Sequence, residues 1–250
     1  MFGIKIPKIR ASFQNQMNID FITKCGTVKR TSIQMMTDRG YETSTELFLL
    51  QKTDLQVGLY FLKKCIAEKR SLCTSMNKIY EAETIAEGPP KLAVYFLDRN
   101  FDETKNKDKM ISTLQFKNVL REFAKINATR CLLILPIKMS PQARKEAQRS
   151  HIGIMHYEEL VFNVARHFMV PPHIGVSEKD AAEFFASRKI EPHQLPVLRD
   201  SDPIAKYYGY SRGTLVKIER PGWTVYRVVG SGGVDEADSS SVGSAGFEDD

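Results

Sequence analysis

Apolar residues recur at helical spacing in three stretches of the first half of the chain. The first spans residues 11–37 and is followed by Gly40, a stop signal, so we expect a long first helix with a weak point at Gly26. Further helices are predicted over 55–70 and 110–126. The apolar positions behind these predictions are Phe13, Met17, Phe21, Cys25, Val28, Met35 and Met36, then Leu55, Leu59, Leu62 and Ile66, then Leu114, Val119 and Phe123.

Short apolar runs between the helical stretches are typical of strands. Residues 77–83 could form one strand, while 92–97 and 131–135 are almost wholly apolar and indicate buried strands. The order strand, helix, strand over this region implies a right-handed crossover and a parallel pair. The N-terminal domain is therefore predicted to be α/β.

Near residue 200 the pattern predicts a short, well-capped helix. Asp202 can accept a hydrogen bond from a free N–H of the first turn, and Pro203 has the fixed φ that suits the first helical position. Gly209 follows the apolar and aromatic residues where a left-handed C-terminal residue is expected. The helix should be about two turns long.

A β-hairpin is predicted after this helix. Residues 214–219 alternate apolar with polar side chains, and residues 223–229 resume the alternation after Pro221-Gly222. Because alternate side chains of a strand lie on opposite faces, we expect one face of the hairpin to be buried.

Charge is distributed unevenly along the 250 residues. The formal net charge is +6, but residues 1–166 carry 27 Lys/Arg against 17 Asp/Glu, residues 167–229 carry 9 against 7, and residues 230–250 carry none against 6. The basic excess suits nucleic acid or another polyanion, although many basic proteins bind neither. The last segment is acidic, rich in Gly and Ser, and too poor in apolar residues to offset its ordering entropy. It is predicted to be a disordered tail, serving either solubility or docking.

Cysteine and histidine usage gives no sign of a disulfide framework or a metal site. The four cysteines lack any Cys-x-x-Cys spacing, so we expect reduced, buried thiols. The five histidines lack metal-ligand spacing, and no cofactor or small-molecule substrate is expected. Charges interrupt the apolar N-terminus, and no apolar run approaches the roughly 20 residues that span a bilayer. We expect a cytosolic or nuclear protein with no membrane partner.

Several short motifs follow one another in a fixed order. They are Asp38-Arg39-Gly40-Tyr41, Met169-Val170-Pro171-Pro172-His173-Ile174, Ser177-Glu178-Lys179, Gln194-Leu195-Pro196, Asp202-Pro203, Tyr207-Tyr208-Gly209, Arg212-Gly213, Val216-Lys217-Ile218 and Tyr226-Arg227. In this order they resemble the fifth-subunit family of nuclear RNA polymerases, which includes an archaeal counterpart, over about residues 13–229. The chain departs from the family at Val197, which replaces Arg, at Tyr210-Ser211, which replaces Leu-Lys, and at the shortened hairpin connection Pro221-Gly222.

The resemblance implies a non-catalytic structural subunit of DNA-directed RNA polymerase, a divergent eukaryotic paralogue in the nucleus, with the nucleolus also open. It implies an α/β fold, α+β overall, with a nuclease-like jaw domain (1–166, of which 1–12 could be flexible), an assembly domain (167–229) and the tail (230–250). By analogy the assembly domain docks on the largest subunit, among other polymerase subunits. The docking candidates are Pro171, His173, Gln194, Leu195, Pro196, Asp202, Pro203, Tyr207, Gly209, Arg212, Gly213, Tyr226 and Arg227.

One helix start in the N-terminal domain has the character of a phosphate-binding site. Ser140 and Pro141 supply an N-cap and a first-position proline after a buried strand, and Lys138 lies beside the free N–H groups. In the resembled family the matching segment lies on the jaw that faces downstream duplex DNA. The DNA-contact candidates are therefore Lys138, Ser140, Pro141, Gln142, Arg144 and Lys145. Such contacts would be non-specific and salt-dependent. An ordinary capped surface helix is the alternative.

Two other functions remain open from the residues. Asp98 followed by Glu103 and Lys105 is similar to the carboxylate and lysine set of metal-dependent nucleases, although a charged loop is a poor support for a metal. A free-standing DNA-binding regulator that carries the assembly domain is the third hypothesis.

Overall fold

The computed structural model describes residues 19–82, 91–98, 101–102, 107–108, 110–125, 128–150 and 152–231. They divide between two compact units that adjoin in the chain at Val170 and Pro171. Both units combine helices with β-sheet, so the predicted mixed fold class is confirmed. Residues 1–12 and the predicted tail from 232 onward lie outside the described residues.

The N-terminal unit opens with two helices in close contact. The first elements are α1 (Ile19–Asp38), a 3₁₀ helix (Ser44–Gln51), α2 (Asp54–Glu68) and α3 (Leu72–Ser75). The predicted first helix is confirmed from Ile19, and its residues 11–18 are not among those described. The predicted weak point is wrong, because α1 runs unbroken through Gly26. A methyl group at Gly26 would overlap the carbonyl oxygen of Asp54, and one at Gly58 would overlap that of Ile22.

Helix α2 is confirmed, but it buries a different face from the predicted one. Its core side chains are Val57, Gly58, Phe61 and Cys65, whereas the predicted Leu59 and Ile66 are 40% and 43% exposed. The physical reason is the glycine contact: Gly58 lets the two backbones approach more closely than any leucine would, and this selects the packed face.

A four-stranded sheet forms the second layer of this unit. The elements are β1 (Lys78–Glu81), β2 (Lys91–Phe96), β3 (Phe101–Asp102), β4 (Lys107–Asp108), α4 (Thr113–Ala124), β5 (Arg130–Leu135), α5 (Pro141–Arg149), β6 (Gly153–His156) and 3₁₀ helices at Tyr157–Leu160 and Val164–Arg166. The strand order is β1-β2-β5-β6, while β3 pairs with β4. The three predicted strands are confirmed. So is the parallel pair, since β2 and β5 are parallel.

The core on one face of the sheet is closed by α4 and α5. Leu133 and Leu135 of β5 pack there with Phe116, Ala143 and others. Helix α4 starts at Thr113, later than predicted, because Ser112 caps it by accepting a hydrogen bond from the Gln115 N–H. Of the residues predicted to share one side of this helix, Val119 and Phe123 pack against the core, whereas Leu114 is 65% exposed. The fully buried residue of the helix is Phe116.

The C-terminal unit combines two α-helices with a second four-stranded sheet. Its elements are β7 (His173–Gly175), α6 (Glu178–Arg188), a 3₁₀ helix (Pro192–Gln194), β8 (Val197–Arg199), α7 (Pro203–Tyr208), β9 (Leu215–Arg220) and β10 (Trp223–Gly230). The strand order is β7-β9-β10-β8, in which β8 and β10 are parallel. The predicted short helix is confirmed as α7.

The predicted hairpin is confirmed as β9 and β10. Arg220 pairs with Trp223 across the two-residue turn Pro221-Gly222, and Gly222 has a φ of 88° that favours glycine. Val216, Ile218 and Val229 enter one core cluster with Leu198 and Ala205. Gly230, which the sequence assigned to the tail, is the last residue of β10 and pairs with Arg199.

Two further predictions concern the state of the cysteines and the presence of membrane-spanning helices. All four cysteines are buried and free, as predicted. None of the helices among the described residues is long and apolar enough to cross a membrane.

Candidate functional site

The helix start at Ser140 has the predicted geometry. The Ser140 hydroxyl oxygen accepts a hydrogen bond from the Ala143 N–H at 3.3 Å, and Pro141 is the first helical residue. The segment before it is held in place, because the Ser140 N–H donates to the Ile111 carbonyl oxygen at 3.0 Å and Met139 forms a bridge with Ile111. The start of α5 is therefore a fixed helix N-terminus beside strand β5.

Positive side chains surround this helix start. Lys138, Gln142, Arg144 and Lys145 are exposed, while α5 buries only alanines, Ala143 and Ala147, on its inner face. None of the three cations forms an ion pair with another described residue. Their charge adds to the positive end of the helix dipole, an arrangement that favours an anion. The structure thus brings the six predicted DNA-contact residues together on one helix start.

In the C-terminal unit, the Asp202-Pro203 motif caps α7. The Asp202 carboxylate accepts a hydrogen bond from the Ile204 N–H at 2.8 Å, and Pro203 is the first helical residue. Gly209 ends the helix with a φ of 71°, and the Tyr207 side chain is buried. These four docking candidates, apart from the exposed ring of Pro203, serve the fold of the unit.

The Arg212-Gly213 motif lies in the turn before β9 and holds this turn against the sheet by hydrogen bonds. The guanidinium of Arg212 contacts the Asp200 carboxylate at 2.7 and 2.8 Å, and the Gly213 N–H donates to the Val229 carbonyl oxygen at 2.8 Å. Gly213 has a φ of 89°, which requires glycine in practice. Arg212 is exposed, so part of its guanidinium remains available to a partner.

The edge strand β7 is held by a tyrosine that the sequence singled out only as a departure. Tyr210 donates its hydroxyl to the His173 carbonyl oxygen at 3.0 Å, and its ring lies against Gly175, where a methyl group would come within 2.8 Å of it. Burial raises the pKa of Tyr210 to about 12. The Nδ1 atom of His173 lies 2.7 Å from the Pro171 carbonyl oxygen. Pro171 and His173 thus help to fix the backbone where the C-terminal unit begins.

The segment Gln194-Leu195-Pro196 leads into β8. Gln194 accepts a hydrogen bond from the Glu191 N–H at 2.9 Å, and the Pro196 carbonyl accepts one from the Val228 N–H at 3.1 Å. Gln194 and Pro196 are exposed and Leu195 is half-buried. This motif therefore sets the parallel pairing of β8 and leaves side chains on the surface.

The last motif places Tyr226 and Arg227 on opposite faces of β10. The Tyr226 ring centroid lies 4.3 Å from that of Phe184, and the Arg188 guanidinium carbon lies 4.4 Å from the Phe184 centroid. Arg227 buries its Nε atom, which has no hydrogen-bond partner among the described residues. Sequence reasoning missed Phe184 and Arg188, since two adjacent phenylalanines in α6 show no clear face.

Residues 162–230 match the family model described as RNA polymerase Rpb5, C-terminal domain. The family match and the relatives together support a divergent member of the Rpb5 family. The chain is similar to its relatives over most of its length. It is 25% identical over 208 residues to "DNA-directed RNA polymerases I, II, and III subunit RPABC1" of Caenorhabditis briggsae, covering 81% of this chain and 91% of the relative.

Two further relatives of this chain come from other lineages. It is 26% identical over 192 residues to "DNA-directed RNA polymerases IV and V subunit 5B" of Arabidopsis thaliana, covering 76% of this chain and 80% of the relative. It is 30% identical over 125 residues to "DNA-directed RNA polymerases I, II, and III subunit rpabc1" of Dictyostelium discoideum, covering 48% and 64%. The relatives are thus named for two different sets of polymerases, I, II and III in two cases and IV and V in the third.

The structure describes only part of the nuclease-like residue set. The Asp98 carboxylate accepts hydrogen bonds from Ser71 at 2.6 Å and from Thr74 at 3.4 Å, while Glu103 and Lys105 fall outside the described residues. Within the described ranges, no group of three or more His, Cys, Asp or Glu side chains is arranged to hold a metal ion. Asp98 acts here as an acceptor for the first turn of α3.

Proposed function

We propose that this chain is a non-catalytic structural subunit of a nuclear DNA-directed RNA polymerase. The observation that carries the proposal is the match of residues 162–230 to the Rpb5 C-terminal domain, whose motif residues form the caps, turns and hairpin described above. The names of the relatives as polymerase subunits support it. The polymerase active site would belong to other subunits, and this chain would add binding surface.

The C-terminal unit would dock on the largest subunit through the sheet face that α6 covers only in part. Ile174 pairs with Lys217, Lys217 with Tyr226, and Val197 with Val228, so all of them lie on the face that carries Tyr226. Ile174 and Val197 stand on the two edge strands and remain exposed beside α6. Exposed apolar residues on both sides of a helix suit a protein partner.

The N-terminal unit would contribute to the jaw near downstream DNA through the start of α5. The positive helix end, Lys138, Arg144 and Lys145 form a surface that fits the phosphate backbone. Such a contact reads no bases, so it is expected to be sequence-independent and weakened by salt. A single contact of this kind binds weakly by itself and gains strength within an assembled polymerase.

Purification of the tagged full-length protein from nuclear extract at low salt tests the proposal. We expect the largest polymerase subunit and its companions in near-equal amounts, and the largest subunit that is recovered identifies the polymerase class. Recovery of the tagged protein without polymerase subunits would overturn the proposal.

A pair of variants tests the docking face in the same experiment. Ile174→Asp combined with Val197→Asp should remove the polymerase subunits, because two charges would be buried in an apolar contact. Leu114→Asp, at an exposed apolar residue of the N-terminal unit, is the matched control and should change nothing. If both variants retain the polymerase, docking does not use this face.

A further inference from the structure

Helix α2 carries a second apolar face that the described residues of the N-terminal unit leave open. Leu55, Leu59, Leu62 and Ile66 recur at intervals of four, three and four residues, the spacing of a coiled-coil seam. Leu59 and Ile66 are exposed, and Leu55 and Leu62 are half-buried. We call these four residues the α2 seam. Its apolar side chains continue over three turns of the helix.

The seam is separate from the side of α2 that packs into the core. Val57, Gly58, Phe61 and Cys65 are the buried positions, and Gly58 sets the close contact with α1. At 3.6 residues per turn the two sets are centred about a third of a turn apart. Helix α2 therefore has one face for its own fold and a second apolar face that this fold does not need.

Positive charges border the α2 seam. Lys63 is exposed next to Leu62, Lys52 precedes the helix, and Lys69 ends it in a left-handed conformation. None of these three forms an ion pair with another residue in the described part of the chain. The nearby acids are engaged elsewhere: Asp54 contacts Arg30, and Glu68 contacts Lys64 and Arg70.

We propose that the α2 seam binds an acidic amphipathic helix of another protein. The seam accepts Leu or Ile side chains at matching three- and four-residue intervals, and the lysines pair with Glu or Asp on the flanks of the partner helix. The positive border gives the seam a preference for acidic over basic helices, since like charges across such an interface oppose association.

Other occupants fit the seam less well. In a second copy of this chain, the lysines of one α2 would face those of the other. The segment 1–18 contains Lys5, Lys8 and Arg10 and no acid. Residues 232–250 are acidic, but their Val234, Val242 and Phe247 stand eight and five positions apart and so cannot match a helical seam. Charge and spacing together favour a helix from a different protein.

Titration of the full-length protein with a designed peptide tests this site. The probe is a fluorescein-labelled helix of three heptads with Leu at a and d and Glu at e and g, and its control carries Lys at e and g. We expect fluorescence anisotropy to show saturable binding of the acidic peptide, at least about tenfold tighter than the basic one and weakened by salt.

Variants locate the binding on the seam. Leu59→Ser combined with Ile66→Ser should weaken binding of the acidic peptide by about tenfold or more. Leu114→Ser, at an exposed apolar residue of α4, should leave that binding unchanged. Lys63→Glu should reduce the preference for the acidic peptide. Thermal unfolding of each variant confirms that it still folds.

Several outcomes would overturn the assignment. Equal binding of both peptides, or no effect of the seam variants, would show that the seam is not the site. If the wild-type protein is a dimer and Leu59→Ser makes it monomeric, the seam binds a second copy of this chain. Tenfold tighter peptide binding after removal of residues 232–250 or 1–18 would assign it to the chain's own segment. The seam lies outside residues 162–230, so these results do not depend on the proposed polymerase role.

Discussion

At the scale of single residues, Lys29 shows how a charge can be kept inside the N-terminal unit. Its buried ammonium lies 3.0 Å from Glu46 Oε1 and 3.1 Å from both the Met76 carbonyl oxygen and the Tyr80 hydroxyl. Tyr80 donates in turn to Glu46 Oε2 at 2.6 Å. Each of the three N–H donors of Lys29 therefore has an acceptor, which is the condition for a tolerated buried charge.

Removing one partner of this network should be far more harmful than removing both. Glu46→Gln leaves the Lys29 charge buried without its counter-ion and should lower the free energy of unfolding by about 3–5 kcal/mol. Lys29→Met combined with Glu46→Leu removes both charges and should recover much of that loss. Urea denaturation of both variants measures the difference. A double variant that is less stable than Glu46→Gln would contradict this account.

The same network predicts how stability depends on pH. Burial of Glu46 opposes its ionisation, but Lys29, the Tyr80 hydroxyl and Lys78 outweigh it and hold the pKa of Glu46 below its usual range. A lowered folded-state pKa contributes stability above the unfolded value of about 4.3, and this contribution is lost as the pH falls through the folded value. The unfolding free energy should therefore fall more steeply below pH ~4.3 in the wild type than in the double variant.

Gly58 is the other residue on which the helical layer depends. In Gly58→Ala the added methyl would overlap the backbone of α1, and the cost of about 3 kcal/mol or more should outweigh the gain of about 1 kcal/mol in helix propensity. Gly153→Ala is the control, because the one tight contact of its methyl, at 3.0 Å, would be with the end of the Leu132 side chain, which can move. Equal thermal stability of the two variants would show that the helices can move apart.

At the scale of elements, the sequence predicted where the helices and strands are better than which faces they bury. The helical period of apolar residues and the capping residues predict where α1, α2, α4 and α7 lie, because both signals are local in the sequence. The predicted face of α2 was wrong, since Gly58 is selected by the backbone of α1 across from it. On α4 the predicted Val119 and Phe123 do pack against the core, whereas Leu114 does not. The Lys29 network has no signal in the sequence, as its partners are up to 51 positions away.

The start of α5 yields a prediction about nucleic acid. The isolated protein should bind duplex DNA weakly and without sequence preference, and Arg144→Glu with Lys145→Glu should weaken binding and lower the salt slope by about 2. Lys179→Glu, an exposed lysine of α6, is the control. An unchanged slope in the double variant, measured by titration at several salt concentrations, would place any DNA contact elsewhere.

The cap of α7 allows folding and docking to be separated. Asp202→Ala should cost about 1 kcal/mol because the Ile204 N–H loses its acceptor, whereas Asp202→Asn keeps a capping oxygen and should cost little. Thermal unfolding measures both. If Asp202→Asn keeps wild-type stability and still loses the polymerase subunits in purification, Asp202 contacts the partner directly.

At the scale of the whole molecule, the two compact units suggest a division of labour. A tagged fragment of residues 162–231 should recover the largest polymerase subunit from nuclear extract, and residues 1–166 alone should not, because the matched domain lies in the first fragment. Circular dichroism of each fragment checks that it folds. Recovery by the N-terminal fragment alone would reverse the roles. The docking motifs could be recognised from the sequence because recognition needs only their order in the chain. That most of them serve the fold of the C-terminal unit could be seen only in the structure.

The tight connection between β9 and β10 has a practical consequence. The single tryptophan of the chain, Trp223, follows the Pro221-Gly222 turn directly, is paired in the sheet and is 61% exposed. Because the backbone of Trp223 pairs with Arg220 directly after the turn, the indole is attached at this end of the hairpin. Its emission and its quenching by iodide would therefore report, without any label, whether a bound protein covers this end of the C-terminal unit.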